Sequence, residues 1–362
     1  MTVRQTLARM IAAGRLDRPS MLDDPELRRA AREEGVLPLL EWIAGRSESG
    51  LRMQAAWQLA RRARIMRLLD ALAAGGVTAL VFKGAQLACT RYPDPALRPH
   101  VDTDLFIDPN DVERARSVFE RTGHRLIPHV SGDFVMSQFH FTDGAVGGAH
   151  LYDVHWRIAN PVVFRAVLPF QDVYGRSVPF DAYGPHSRGP SLPDALLIAA
   201  VHRAAHHGGA ERLIWMNDVR LLLNAATPAE LDDVRRLANA YGVSALAHDT
   251  CVRAAALFGD VRVPDRLTSS KRVASEPSRA YLSAPSNVRQ LALDLRALRR
   301  WRERLVLLKE HAFPPASYLI QTSNARAPLP WLYATRIARG AWKWFREGSE
   351  RVPGRFREGS RF

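Results

Sequence analysis

An α/β fold of the α+β kind, a small mixed sheet flanked by N-terminal helices and a C-terminal helical domain, is predicted by three observations. Two short segments, "VDTDLFI" and "LYDVHW", alternate with the period of two that strands require. Before residue 75 and after residue 190, apolar residues recur instead at steps of three and four. The Pro- and Gly-rich stretch "YGPHSRGPSLP" marks the change from one regime to the other. The expected division is a helical region over 1–75, an α/β core over 76–190, a helical domain over 191–346 and a basic tail over 347–362.

The chain has 362 residues and is 47% hydrophobic, enough to bury a substantial core. Its longest apolar runs, such as "ALLIAAV" at 195–201, are too short to cross a bilayer, and no signal-type segment opens the chain. A cytoplasmic location is therefore expected. Cys89 and Cys251 are the only cysteines and lack ligand spacing, which argues against a disulfide framework or a structural zinc site.

The elements follow in order. "AAWQLARRARIMRLLDALAAGG" reads as a helix with Leu59, Ile65, Leu68, Leu69 and Leu72 on one side and Gly75–Gly76 as its stop. "VTALVF" reads as a buried strand, "KGAQLACTRY" as the opening of a helix, and "PDPALRP" as the loop that delivers the chain to the Asp102 strand. Asp108 then caps a helix, with Pro109 in its first turn and Gly123 as its terminator. "HRLIPHV", "FVMSQFHFT" and "AHLYDVHW" are further strands, and "DALLIAAVHRAAHH" and "RLIWMNDVRLLLNAA" return to helix.

Strand parity places Asp102 and Asp104 on one face and Thr103 on the other. In the later strand Leu151, Asp153 and His155 share a face, so a third carboxylate can stand beside the first two. Three convergent carboxylates make a hard, oxygen-rich site suited to Mg2+ or Mn2+. His155 is a candidate for orienting, proton-transferring or acceptor-binding work, with a hydrogen-bonded core histidine as the competing reading. His202 and His206 lie four apart on one helical face without the glutamate a metalloprotease needs; a structural or acceptor-pocket role is expected, with Asp218 as a partner.

"FKGAQLACTRYPDPALRPHVDTDLFI", the helix after it and then "LYDVHW" resemble the uncharacterised nucleotidyltransferase family of the superfamily typified by DNA polymerase beta. "HRAAHHGGAERLIWMNDVRLLL" and "FPPASYL…LPWLYATRIARGAWKW" are similar to that family's helical half. The resemblance implies that Asp102, Asp104 and Asp153 are catalytic metal ligands for Mg2+ or Mn2+. A nucleoside triphosphate would be the donor and a peptide, a saccharide or a small molecule the acceptor, in keeping with a family often found with natural-product or surface-polysaccharide genes. The superfamily's Gly-Ser pair is replaced here by Lys83-Gly84-Ala85, with 17 residues between Gly84 and Asp102. Lys83, Gly84, Arg98 and His155 are then the expected binding residues, Lys83 and Arg98 as counter-charges to the donor phosphates. Two alternatives stay open: glycosyl transfer from a nucleotide sugar held through the Asp102–Asp104 pair, and a non-catalytic phosphate- or peptide-binding member of the fold.

The formal charge is +14, but residues 288–362 hold 16 Lys or Arg against 6 Asp or Glu, so the excess is largely a property of the tail. Lysine occurs only at 83, 271, 309 and 343; so arginine-rich a composition need not reflect phosphate recognition, and general nucleic-acid binding is not expected. Three readings stay open for the tail: weak contact with an anionic membrane, an acidic partner, or a loosely held basic end repeating "FREGS" at 345–349 and 356–360. Trp331, Trp342 and Trp344 are expected to pack on the helical domain.

Overall fold

The computed structural model describes residues 2–46, 49–130, 132–144, 149–207, 209–261, 263, 276–282, 286–323 and 327–349. Five strands form its main sheet: β1 (Ala79–Phe82), β2 (Asp102–Ile107), β3 (Arg125–Leu126), β4 (Gln138–Thr142) and β5 (Leu151–His155). Their spatial order is β1-β2-β5-β4-β3, with β2 and β5 parallel and the other neighbours antiparallel. The parallel pair sets Asp104 directly beside Asp153, and the antiparallel pair sets His140 on the other side of Asp153. A β6 (Val178–Pro179) and β7 (Arg188–Gly189) ribbon completes the strands.

The helices over the first part of the chain are α1 (Val3–Ala13), α2 (Pro25–Glu33), α3 (Leu37–Ile43), α4 (Ser49–Ala74), α5 (Lys83–Arg91) and α6 (Val112–Arg121). They are followed by α7 (Phe170–Gly175), α8 (Leu192–His207), α9 (Leu213–Ala225), α10 (Pro228–Tyr241) and α11 (Ser244–Phe258). Near the end come α12 (Arg279–Leu282), α13 (Asn287–Ala297), α14 (Trp301–Ala312), α15 (Ala316–Ser323) and α16 (Leu329–Ser349). Local chemistry accounts for many of their ends. Thr227 and Glu230 form a reciprocal capping box at the start of α10, and Gly242, at φ 65°, closes it. Asp108 caps a single 3-10 turn, Pro109–Asp111, which leads into α6.

Alternation divides the sheet into two chemically distinct faces. Val81, Leu105, Ile107, Phe139, Phe141, Tyr152 and Val154 pack against Ile65, Leu68, Leu69 and Leu72 of α4 and Ala115, Val118 and Phe119 of α6. Leu59, expected on the same side of α4, is instead 66% exposed, because the buried stripe begins only at Ile65. On the other face Leu80, Phe82 and Phe106 join a larger core shared with α8, α9 and α11. That core also takes Leu7, Ile11, Leu37 and Leu40, so α1–α3 pack with helices far later in the chain while α4 serves the sheet. Five polar residues of this second sheet face, Asp102, Asp104, Gln138, Asp153 and His155, line a cleft that α8 and α9 also border.

Candidate functional site

The cleft has a volume of about 820 Å³. Its floor is the sheet, with Asp102, Asp104, Asp153, His155 and Gln138; its near wall is the β1–α5 turn with Lys83 and Gly84; its far wall is α8 and α9 with His202, His206, His207 and Trp215. Asp104, Asp153 and His155 each offer a ligand atom, and those atoms all lie within 4.8 Å of one another. Asp102 opens onto the same cleft but is not in that tightest group. Parity brings the three aspartates to one face, and the parallel register makes two of them neighbours.

The electrostatics are those of an acid cluster held partly in check. Burial, and then repulsion from Asp104 and Asp153, pushes the Asp102 carboxyl up to about 6. Burial also opposes charge on Asp104, but the Lys83 ammonium and the His155 hydrogen bond outweigh it and hold that carboxyl well below the usual range. Lys83 Nζ lies 2.8 Å from Asp104 Oδ1 and 3.3 Å from His155 Nε2. His155 Nε2 is 3.1 Å from the same carboxylate oxygen, and its buried Nδ1 has no hydrogen-bond partner among the described residues. Burial, then the Lys83 charge, lowers the His155 pKa, so the ring is a neutral group.

Lys83 reaches this position by way of an unusual backbone. Its φ is +52°, left-handed for a residue with a side chain, at the junction where β1 stops and α5 begins. Such a conformation costs on the order of 1–2 kcal/mol and persists only where the surroundings enforce it. Here Phe82 offers its ring face to the ammonium at 4.7 Å, and Asp104 offers its carboxylate.

Arg98 lines the cleft but its guanidinium is engaged elsewhere. Nη2 and Nε donate to the two oxygens of Asp218 at 2.6 and 3.2 Å, and Tyr92 Oη donates to the same carboxylate at 2.8 Å. Arg98 and Asp218 are both buried, so this pair ties the loop before β2 to α9. Asp218 therefore partners Arg98 and Tyr92, not the α8 histidines. Gly84 lies directly over the guanidinium: a Cβ there would stand 2.5 Å from Arg98 Nη1. Its glycine is required by a close approach.

His140 is among the residues at the site that were not anticipated. His140 Nδ1 lies 2.5 Å from Asp153 Oδ1 and, despite burial, the carboxylate raises its pKa. Gln138 Nε2 is 3.2 Å from His140 Nε2. The signal was present in "QFHFT", where Gln138, His140 and Thr142 alternate with the core residues Phe139 and Phe141. On the far wall His202 Nε2 is 3.0 Å from His207 Nε2, and the His207 ring stacks on Trp215 at a centroid distance of 4.0 Å. Among the described residues His202 Nδ1 and His206 Nε2 are buried without partners. Burial first, and the Lys83 charge second, brings His206 down to about 3 and His202 well below its ordinary value.

These residues fit a divalent cation. Repulsion among the carboxylates is relieved by positive charge, and their oxygens suit Mg2+ or Mn2+, while the imidazole extends the choice to other first-row ions.

Fold and site together define a class: an α/β protein whose small mixed sheet presents clustered carboxylates to a cleft roofed by helices. The chain belongs to the family described as uncharacterised nucleotidyltransferases, whose model matches residues 22–259. No curated protein matches it. A solved structure with some likeness is the antibiotic-resistance factor ANT(2'')-Ia, at 16% identity and a TM-score of 0.36, over 51% of this chain and 93% of that one. So distant a likeness bears on neither substrate nor mechanism.

Proposed function

We propose that this protein is a metal-dependent nucleotidyltransferase that moves a nucleoside monophosphate, or a related phosphate-linked group, onto a hydroxyl or phosphate acceptor. The observation that carries the reading is the meeting of Asp104, Asp153 and His155 in the cleft, with Asp102 on the same strand and Lys83 beside them. Asp102, Asp104 and Asp153 would hold Mg2+ or Mn2+, which when bound neutralises the charge that gathers between attacking and leaving oxygens.

The chain's own groups divide the remaining work. Lys83 supplies a point charge for the donor phosphates, and Gly84 lets them approach the backbone at the start of α5. Arg98, fixed by Asp218, supports that turn from below and adds positive field. His140 orients Asp153 toward the acceptor side. The neutral imidazoles of His202 and His206, each with a buried ring nitrogen that no group among the described residues satisfies, hydrogen-bond the acceptor. The acceptor class fits a saccharide, a modified peptide or another small polar molecule. A cytoplasmic location belongs to the same reading. Among the described residues no helix is long and apolar enough to cross a membrane.

The test is thermal stabilisation by ATP, GTP, CTP, UTP and nucleotide sugars, each with and without Mg2+ or Mn2+. Wild type is compared with the Asp102→Ala/Asp104→Ala variant. A ligand that binds only the native state raises apparent stability, by about 2.7 kcal/mol at a hundredfold excess over Kd. A triphosphate-specific, metal-dependent shift lost in the variant is expected. A shift only with nucleotide sugars would replace the reading with glycosyl transfer, and no shift with any ligand would replace it with a non-catalytic role.

A further inference from the structure

Helix α16 packs on the protein with its aromatic side turned outward. Leu332 is buried, Tyr333 Oη donates to the carbonyl oxygen of Pro314 at 2.8 Å, and Arg336 Nε donates to that of His311 at 3.0 Å. Trp331, Ala334, Ala338, Ala341, Trp342 and Phe345, at steps that place them along one side of a helix, are all exposed. Trp331 and Trp342 are each 63% exposed and Phe345 71%, and the rings of Trp342 and Phe345 stack with centroids 6.2 Å apart. The expectation that Trp331, Trp342 and Trp344 pack inward is thus corrected. A surface helix ordinarily hides its apolar stripe, and one that displays large aromatics marks an interaction surface.

Charge indicates what that surface meets. Arg336, Arg339 and Lys343, also at steps of three and four, form a second stripe on the same helix. The whole segment from 288 onward holds 16 basic and 6 acidic residues. Aromatic and basic groups are thus sorted onto separate stripes, whereas single-stranded nucleic acid calls for stacking rings and cations along one groove. A second copy of the chain would bring the same positive excess against itself. A bilayer interface suits both stripes at once: aromatic rings enter the headgroup–acyl boundary while flanking Lys and Arg extend to lipid phosphates.

We propose that α16 is an interfacial anchor that docks this protein on a bilayer bearing anionic lipid, through Trp331, Trp342 and Phe345 and the charges of Arg339 and Lys343. The anchor lies outside the family-matched residues and does not depend on the nucleotidyltransferase reading. Its hold rests in part on charge, so salt weakens the binding.

The experiment is co-sedimentation of the full chain with vesicles of phosphatidylcholine alone and of phosphatidylcholine with phosphatidylglycerol. It is repeated for Trp331→Ala/Trp342→Ala/Phe345→Ala and for Arg339→Glu/Lys343→Glu, with circular dichroism to verify folding and size-exclusion chromatography to report oligomeric state. Binding to the anionic vesicles, at least ~10-fold weaker on the neutral ones and in each variant, is expected. Equal binding of wild type and the aromatic variant would reduce the effect to diffuse charge attraction and overturn the anchor. Failure of wild type to bind the anionic vesicles would do the same. A wild-type dimer that becomes monomeric in the aromatic variant would assign the stripe to a second copy instead.

Discussion

The ammonium of Lys83 lies 2.8 Å from Asp104 Oδ1, on a residue whose own backbone is held at φ +52°. A cation of the protein's own thus already balances the most deeply buried of the three clustered aspartates. Lys83→Met should remove that balance and leave Asp104 buried beside a neutral imidazole, at a cost of about 1–3 kcal/mol in urea unfolding. The same variant should gain more thermal stability from Mn2+ than wild type does, because Asp104 no longer divides its charge with lysine. Turnover should fall at least ~100-fold. Equal metal-induced shifts in the two proteins would count against Asp104 as a metal ligand.

Asp102 presents the opposite case, a carboxylate raised in energy by burial and by two like charges. Neutralising it in Asp102→Asn should leave stability unchanged or raise it by up to about 2 kcal/mol, while the metal-dependent nucleotide shift falls at least ~10-fold in affinity. Stability and ligand binding would then move in opposite directions, as expected where a site retains charges that the fold alone disfavours. Isothermal titration with Mg2+ and a triphosphate, beside urea unfolding, measures both. Loss of stability together with loss of binding would mark Asp102 as structural.

Much of this site was legible because it depends on local parity. Asp102, Asp104, Asp153 and His155 were placed by the alternation of two strands, and the parallel pairing of β2 with β5 preserved those faces. The Asp108 cap and the β1–α5 junction were equally local. What escaped depends on contacts distant in sequence. Arg98 meets Asp218 across 120 residues, and α1–α3 share a core with α8–α11. His140 needed the antiparallel register of β4, although its own strand advertised a polar face. The outward turn of Trp342 could not be read from periodicity, which reports that a helix has two sides and not which side meets the protein. The second "FREGS" repeat, at 356–360, lies outside the described residues.

The Arg98–Asp218 pair should behave as a latch. Removing one partner leaves a buried charge, so Arg98→Met or Asp218→Leu alone should cost about 3–5 kcal/mol in urea unfolding. The double variant should recover a large part of the loss, giving a coupling of at least ~1 kcal/mol in a double-mutant cycle. Gly84→Ala, which places a Cβ 2.5 Å from Arg98 Nη1, should destabilise by about 1–3 kcal/mol and displace Lys83. Additive single effects would show that the pair is not coupled.

Asp294 supplies a pH test far from the cleft. Its Oδ1 accepts from Tyr281 Oη at 2.8 Å and from the Val163 backbone N–H at 3.1 Å, and burial raises its carboxyl to about 6. The folded state therefore holds this proton more tightly than the unfolded chain does. The associated stability is fully present below about pH 4 and is lost as pH rises through about 6. The substitution Asp294→Asn keeps an acceptor for Tyr281 and removes the ionisable group. The stability of the variant relative to wild type should grow by up to about 3 kcal/mol between about pH 4 and pH 7, whatever fixed offset the amide introduces. Urea unfolding of both proteins at intervals of pH gives that difference directly. A difference that stays flat across the range would show that Asp294 is charged in the fold and that its two donors, not its proton, balance its burial.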